Sequence, residues 1–281
     1  MLSHANSAAR RTSTGQVVTY VLLALVAAFF IVPIIWLVVE AFGGNLGLIS
    51  GTLGVWGVWL INSTIYSAAG AAIAIATCVP AGYAIATHEF PGRRVLLILT
   101  MLIMLIPTSA LVLPLFLEAN EVHLLTSPFA VILPYSLFPF GVYLSYLYFQ
   151  TERFNILFQT ARTDGCNEWK VFRRIAVPLS KPVAALIVFL NIVASWTNFF
   201  LPWVMYWSTD STSHYPLPLG IALQLFNGET SGEYLGVIQL HTSSPPSAIA
   251  FLLLATIAPV VVVLVLAQRW IRSGQFQGML H

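Results

Sequence analysis

The sequence predicts an all-α, polytopic membrane protein with six transmembrane helices and one long cytoplasmic loop, and three observations predict it. The first is composition. Of the 281 residues 58% are hydrophobic and 8% are charged, which leaves too little polar surface to cover a soluble globule of this length; the mean hydropathy is +0.85. The second is the presence of six apolar stretches, each long enough to cross about 30 Å of hydrocarbon as a helix. The third is charge. With the amino terminus inside, all 12 lysines and arginines fall on one side of a six-span arrangement, and such a bias in short loops orients a membrane chain.

The spans are expected near Val17–Val39, Ile61–Thr87, Val95–Phe116, Phe129–Phe149, Pro182–Met205 and Ile249–Arg269. The first is read as a retained span rather than a signal peptide, because its apolar run is too long and no small-residue cleavage site follows it cleanly. Residues 1–16 and 273–281 then form cytoplasmic tails, 17–272 the membrane domain, and 150–181 its long cytoplasmic loop. Arg10, Arg11, Arg93, Arg94, Arg153, Arg162, Lys170, Arg173, Arg174, Lys181, Arg269 and Arg272 all lie inside; the outer loops carry Glu40, Glu118, Glu121, Asp210, Glu229 and Glu233. A net charge of +2, spread among apolar spans, offers no face for nucleic acid. Membrane lipid is the partner that this composition demands.

Several function classes are excluded by what the spans lack. Intramembrane acids are the default sign of an ion or proton relay, yet Glu40 stands at a span end and Glu118 and Glu121 in a loop. Work for transport is then expected from ATP, but not on this chain. A phosphate-binding loop needs Gly-Lys-Ser/Thr, and the two lysines follow Trp169 and Ser180. Cys78 and Cys166 form neither a CxxC pair nor a metal framework. His4, His88, His123, His214, His241 and His281 show no metal-ligand spacing. Prolines 33, 80, 107, 114, 134, 139, 202 and 259 sit inside spans; ordinary helix shaping accounts for them, and hinges around a pathway are the functional alternative.

The long loop holds two short helical patterns. Phe154, Leu157, Phe158 and Ala161 recur at helical spacing before Gly165, and Trp169, Phe172 and Ile175 after it. Asp164-Gly165 separates them, since Gly is free to take the left-handed conformation that ends a helix. From the residues alone two roles stay open: a surface for a partner protein, or a basic amphipathic segment lying on anionic headgroups.

The stretch Gln159-Thr160-Ala161-Arg162-Thr163-Asp164-Gly165, followed by Phe172-Arg173-Arg174-Ile175-Ala176-Val177-Pro178-Leu179, resembles the EAA loop of ABC-importer permeases, more narrowly the carbohydrate branch with the maltose permease as its familiar member. Further pieces match in order: Asn62-Ser63, Ala81-Gly82-Tyr83-Ala84, Phe90-Pro91-Gly92-Arg93-Arg94, Ile106-Pro107, Leu113-Pro114-Leu115, Ser195-Trp196-Thr197-Asn198-Phe199-Phe200-Leu201-Pro202, and Gln268-Arg269-Trp270 through Gly274 and Gly278. They run from about residue 17 to the end. The resemblance implies half of a translocation pathway in a bacterial inner membrane, with a second permease chain, ATPase subunits that hold ATP and Mg, and an extracytoplasmic solute-binding protein. It implies no cofactor and no catalysis on this chain. Gln159, Thr160, Ala161, Asp164 and Gly165 would dock the ATPase. One departure stands in the motif: the family's Glu-Ala-Ala is here Gln159-Thr160-Ala161, so docking is expected to lean on shape and apolar fit. The outer segment between Phe42 and Leu60 is also shorter and more Gly-rich than in relatives.

For the solute, expected to be a sugar, hydrogen-bonding side chains and an aromatic face are needed. Asn191, Ser195 and Asn198 share one helical stripe, with Trp196 about 100° from Ser195; the ordinary alternative is that they glue span to span. Thr108, Ser109 and Tyr135 are weaker candidates. Trp203, Tyr206 and Trp207 read as an interfacial aromatic belt, and the outer segment 208–246 as a surface for the binding protein or a flap toward the path. A stand-alone secondary carrier or channel is the competing class, which ATP dependence of uptake separates.

Overall fold

The computed structural model describes residues 3–43, 53–207, 212–226 and 246–271. Among these the chain is helical, with no strand, as expected where lipid cannot satisfy exposed backbone groups. It forms two compact units, one of residues 1–50 with 243–255 and the other of 51–242 with 256–281. In the first, α1 (Ser3–Gly43) carries the strongest apolar stretch, Gly15–Gly43 with hydropathy 3.0. Its large side chains, from Val17 to Phe42, are exposed around the helix, the pattern of a helix solvated by hydrocarbon.

In the second unit α2 (Leu53–Thr87) is the axis. Its 35 residues span about 50 Å at 1.5 Å per residue, more than the hydrocarbon needs, so one end reaches past it. Against it pack α5 (Phe129–Ser136), α6 (Pro139–Phe149) and α10 (Lys181–Thr197). Gly82 is where α2 and α6 come closest: a Cβ there would overlap Ser145 Cβ and lie 2.6 Å from the Tyr146 amide nitrogen. Small residues at such crossings let backbones approach.

Two cores lie along α2. One gathers Cys78, Val79 and Tyr83 of α2, Tyr148 and Phe149 of α6, and Val183 and Ile187 of α10 with residues of the loop. The other joins Tyr66 of α2 and Val131 and Tyr135 of α5 to Val112 of α4 (Thr108–Glu121), Leu201 and Met205 of α11 (Phe200–Met205), and Leu219 of α12 (Leu217–Phe226). A turn of 3₁₀ helix, Thr212–His214, is strapped to α2. Asn62 Nδ2 donates to the Ser213 and Tyr215 carbonyls at 2.6 and 3.1 Å, Tyr66 Oη donates to His214 O at 3.0 Å, and Ser63 Oγ accepts from Leu217 N at 2.8 Å.

Three stretches are long and apolar enough to cross a membrane as single units: Gly15–Gly43, Gly54–Thr87 and Phe129–Phe149. Two more pass as bent pairs. The pair α3 (Arg93–Met104) and α4 turns by 103°, and the pair made of Glu168–Leu179 and α10 by 64°. Leu253–Gln268, within α13 (Pro246–Ile271), is a shorter apolar helix. The expected span Val95–Phe116, read as one helix shaped by Pro107 and Pro114, is a sharp corner at Leu105–Pro107. Pro107 is extended, with φ −63° and ψ 133°, and a proline lacks the donor to continue a helix. The expected span Pro182–Met205 likewise breaks at Asn198–Phe199, between α10 and α11. Pro33, Pro80 and Pro259, by contrast, stay inside continuous helices. Tyr206 departs from the interfacial-belt expectation: it is 1% exposed and donates to Ser127 O at 3.3 Å, whereas Trp207 is exposed. Residues 44–52 of the Phe42–Leu60 segment, 208–211 and 227–245 of the outer segment, and the tail 273–281 lie outside the described residues, and Leu53–Leu60 begins α2.

Candidate functional site

The loop 150–181 folds as a helix-turn-helix. Thr151 precedes α7 (Glu152–Thr163), whose first turn carries Glu152 and whose last turn carries Arg162, each favourable to the helix dipole. Phe154, Phe158 and Ala161 face inward and are buried. Gly165 ends the helix with φ +82°. Cys166 N donates to Ala161 O and Gly165 N to Arg162 O, both at 3.0 Å, which is the paired Schellman closure. Asn167 then caps α8 (Glu168–Val171) by accepting from Lys170 N at 2.9 Å.

After α8 the chain widens into a π turn, Phe172–Ala176, before the short α9 (Val177–Leu179) and α10. Pro178 supplies the reason: its ring would collide with the carbonyl four residues back in an α-helix, and a local π turn re-spaces that carbonyl. The π turn also shifts which side chains face in. Val171 and Ala176, five residues apart, are both fully buried; Trp169, which precedes the π turn, stands at the rim, 65% exposed with its ring 5.8 Å from that of Phe172. Leu157 is likewise half out of the core.

The loop is held to the membrane helices by aromatic packing. The Tyr83 ring, on α2, meets Phe149, Phe158 and Phe172 at centroid distances of 5.5, 5.4 and 5.1 Å. Phe154 meets Tyr148 at 4.9 Å and Phe149 at 5.7 Å, within the range where aromatic pairs attract beyond their buried area. At the turn, Arg162 Nε and Nη2 donate to the two Glu168 oxygens at 2.7 and 3.1 Å. This hydrogen bond, helped by the nearby His88, holds the Glu168 carboxyl below its ordinary range. A depressed carboxyl stabilises the fold above its ordinary pKa, and that contribution is lost only as pH falls through the depressed value.

The outward face is a different surface. Gln159, Thr160, Asp164 and Gly165 are exposed, Thr160 Oγ1 being turned back onto Ile156 O at 2.9 Å, and Ala161 is buried beneath them. Beside them stand two large apolar groups that sequence reasoning did not single out as exposed, Ile156 (60%) and Trp169 (65%). Helical spacing already leaves Ile156 off the buried Phe154, Phe158 and Ala161 face of α7, whereas nothing in the spacing of Trp169, Phe172 and Ile175 marks Trp169 as the exposed member.

The solute candidates separate. A cavity of about 310 Å³ is lined by Thr108, Ser109 and Val112 of α4 and by Ala194, Thr197, Asn198, Phe199 and Phe200 at the α10–α11 break. Asn198 is thus at a cavity together with two of the weaker candidates. Its Oδ1 accepts from Leu201 N at 3.2 Å, capping α11, and its carbonyl accepts from Tyr135 Oη at 3.1 Å. Asn191, Ser195 and Trp196 are buried between helices instead. Asn191 Nδ2 donates to Tyr135 O at 2.8 Å, Ser195 Oγ to Ile192 O at 3.2 Å, and Trp196 Nε1 to Thr256 O on α13 at 2.9 Å. Of the expected stripe only Asn191 and Ser195 lie on α10, Asn191 facing α5 and α2; Asn198 lies past the helix end in extended backbone, with φ −83° and ψ 111°. No group of three or more metal-ligating side chains occurs among the described residues.

Long apolar helices, sharply broken spans and a loop folded as a capped helix-turn-helix define a multi-pass membrane protein of the transport-permease class. The chain belongs to the binding-protein-dependent transport system inner membrane component family, whose model matches residues 78–276. It is 30% identical over 167 residues to the arabinooligosaccharides transport system permease protein AraQ of Bacillus subtilis (strain 168), a match covering 58% of this chain and 57% of that protein. It is 23% identical to the diacetylchitobiose uptake system permease protein NgcG of Streptomyces coelicolor, over 98% of this chain and 92% of that one. The fold matches a chain in the crystal structure of a bacterial ABC transporter involved in the import of the acidic polysaccharide alginate. The TM-score is 0.73 at 22% identity, covering 90% of this chain and 95% of that one.

Proposed function

We propose that this chain is one of two permease subunits of an ATP-driven importer of an oligosaccharide or disaccharide in a bacterial inner membrane. It has six spans, and both termini are cytoplasmic. A solute-binding protein delivers the sugar from outside. Two ATPase subunits below hold ATP and Mg, close and separate, and α7 with its turn carries that motion to the spans as a rigid-body change between two arrangements. The chain carries no cofactor. The observation that supports this reading most is that Ile156, Gln159 and Trp169 stand exposed on a loop whose other face is locked into the core around α2. A rigid lever with an unpartnered apolar tip fits a groove on a partner. Family membership and the sugar named for the relatives above support the rest.

Purification of the tagged chain from its own membranes in mild detergent, followed by mass spectrometry, tests the assembly. An ATPase and a second six-span permease are expected; recovery of the chain alone, with uptake persisting without ATP, overturns the proposal. Because Gln159 replaces an acid, apolar contact carries the docking. Trp169→Ala is expected to lower the ATPase retained on the tagged chain by roughly tenfold or more, the size of an interfacial tryptophan anchor. Undiminished ATPase-to-permease stoichiometry after washing would rule out Trp169 as the anchor.

The cavity at the α10–α11 break supports a place for Asn198, Thr108 and Ser109 along the sugar's path. Asn198→Ala is expected to raise the KM of uptake about fivefold to tenfold, the value of one lost hydrogen bond. Asn198→Ser can still cap α11, so a KM defect shared by both variants belongs to the cavity and one confined to alanine to the cap. Unchanged affinity and rate in Asn198→Ala remove this residue from the path.

A further inference from the structure

The aromatic core holds the inner face of α7, but the α7–α8 turn itself is tied down by polar groups. Glu168 Oε1 accepts from Arg162 Nε at 2.7 Å, and Oε2 accepts from Arg162 Nη2 at 3.1 Å. His88 Nε2 lies 3.2 Å from the same Oε2. His88 is the first residue after α2. We infer that Glu168 is a positioning residue that joins the turn between α7 and α8 to the end of α2 through Arg162 and His88. A load applied at the turn then reaches α2, the axis of the unit, without first deforming the aromatic packing. This rests on the coupling role proposed above and specifies its mechanical path.

The pair is partly exposed, Arg162 at 32% and Glu168 at 51%, so its stabilising contribution is small. Its bidentate geometry supplies direction instead, since a planar fork fixes the carboxylate in both distance and plane. The third member is set by protons. Thr87 Oγ1 donates to Tyr83 O at 2.8 Å and also lies 2.8 Å from His88 Nδ1. While that hydroxyl serves Tyr83, both ring nitrogens of His88 face acceptors, Thr87 Oγ1 and the Glu168 carboxylate, and the imidazolium form satisfies both. When the ring is neutral, Nε2–H still faces Glu168, but the Thr87 hydroxyl must turn from Tyr83 O to Nδ1 and the contact to Glu168 loses its charge assistance. Among the described residues the other charged and titratable groups around His88 are few. From α2 comes Tyr83, its ring 5.7 Å away. From the loop come Glu168 and Arg162. From the following turn come Glu89, next in the chain, and Arg93, whose Nη2 donates to Ala86 O at 3.3 Å. The link is therefore tightest when His88 is charged.

Amide hydrogen exchange over residues 152–171, on the tagged complex from native membranes in lipid nanodiscs, tests this. Measurements are made at about pH 6 and about pH 8, with rates corrected for intrinsic exchange. Protection of the turn in the wild-type protein is expected to fall about threefold from the lower to the higher pH, the range of a partly exposed ion pair. His88→Lys, which keeps a cation at both, is expected to show no such fall. Glu168→Gln is expected to show lowered protection at both. A His88→Lys profile that parallels wild type overturns the inference, as does a Glu168→Gln profile indistinguishable from it. The ATPase rate of the same samples separates the two layers of argument. If it follows the protection, the strut lies on the coupling path; if protection responds as expected while the rate stays constant, the turn does not couple, and the proposed role of the loop fails although the tie itself exists.

Discussion

Gly82→Leu is expected to prevent the chain from folding into a stable permease. Its Cβ alone would lie 2.6 Å from the Tyr146 amide nitrogen and overlap Ser145 Cβ. These are backbone and near-backbone atoms, so no rotamer change relieves the contact and α2 and α6 must part. Overpacking that side chains can absorb costs about 1–3 kcal/mol; here the nearby core of Cys78, Tyr83, Tyr148, Phe149 and Ile187 opens as well. The yield of monodisperse protein in fluorescence-detected size exclusion is expected to fall by about tenfold or more, each 1.4 kcal/mol being a factor of ten. Gly82→Ala should fall between. Elution of Gly82→Leu at wild-type yield would show that the helices do not meet so closely in the membrane.

Gly165→Val is expected to abolish uptake while leaving insertion and yield intact. No atom lies within 4 Å of a Cβ built at Gly165, and φ is +82°, so the whole effect comes from backbone conformation and not from crowding. A left-handed residue with a side chain costs about 1–2 kcal/mol, and a β-branched one is an outlier there. The strain acts on the two Schellman bonds from Gly165 and Cys166, and losing them detaches the orientation of α8 and Trp169 from α7. Gly165→Asn, better tolerated at positive φ, should retain most activity. ATP-driven uptake of radiolabelled oligosaccharides into vesicles measures both; normal uptake by the valine variant would mean that the turn is not where motion is transmitted.

Much of the fold was legible because lipid imposes simple rules. Apolar length alone located the helices around Val17–Val39, Ile61–Thr87 and Phe129–Phe149, since a backbone in hydrocarbon has few alternatives to a helix. The Asp164-Gly165 turn was legible because one residue type meets one conformational demand. The exposure of Trp169 was not, since three apolar positions at helical spacing do not tell the inner face from its rim. Spacing put Asn191, Ser195 and Asn198 on one helical stripe, yet α10 ends at Thr197, and spacing could not say where the helix stops or which side chain meets a cavity. The helix break at Asn198, which turns that residue to the cavity while Asn191 bonds Tyr135 O, is a property of the packed bundle.

By itself, then, the sequence determined an all-helical membrane chain, the location of most of its apolar helices, and a capped helix-turn-helix at 152–171, because each depends on local composition or a single backbone angle. Only the tertiary structure decided the 103° corner between α3 and α4, the meeting of Glu168 with Arg162 and His88, and which polar residues face the cavity. The reason is common to all three: they depend on how close two helices approach and how a bent helix is rotated. Those quantities come from packing many side chains at once, and no stretch of residues carries them alone.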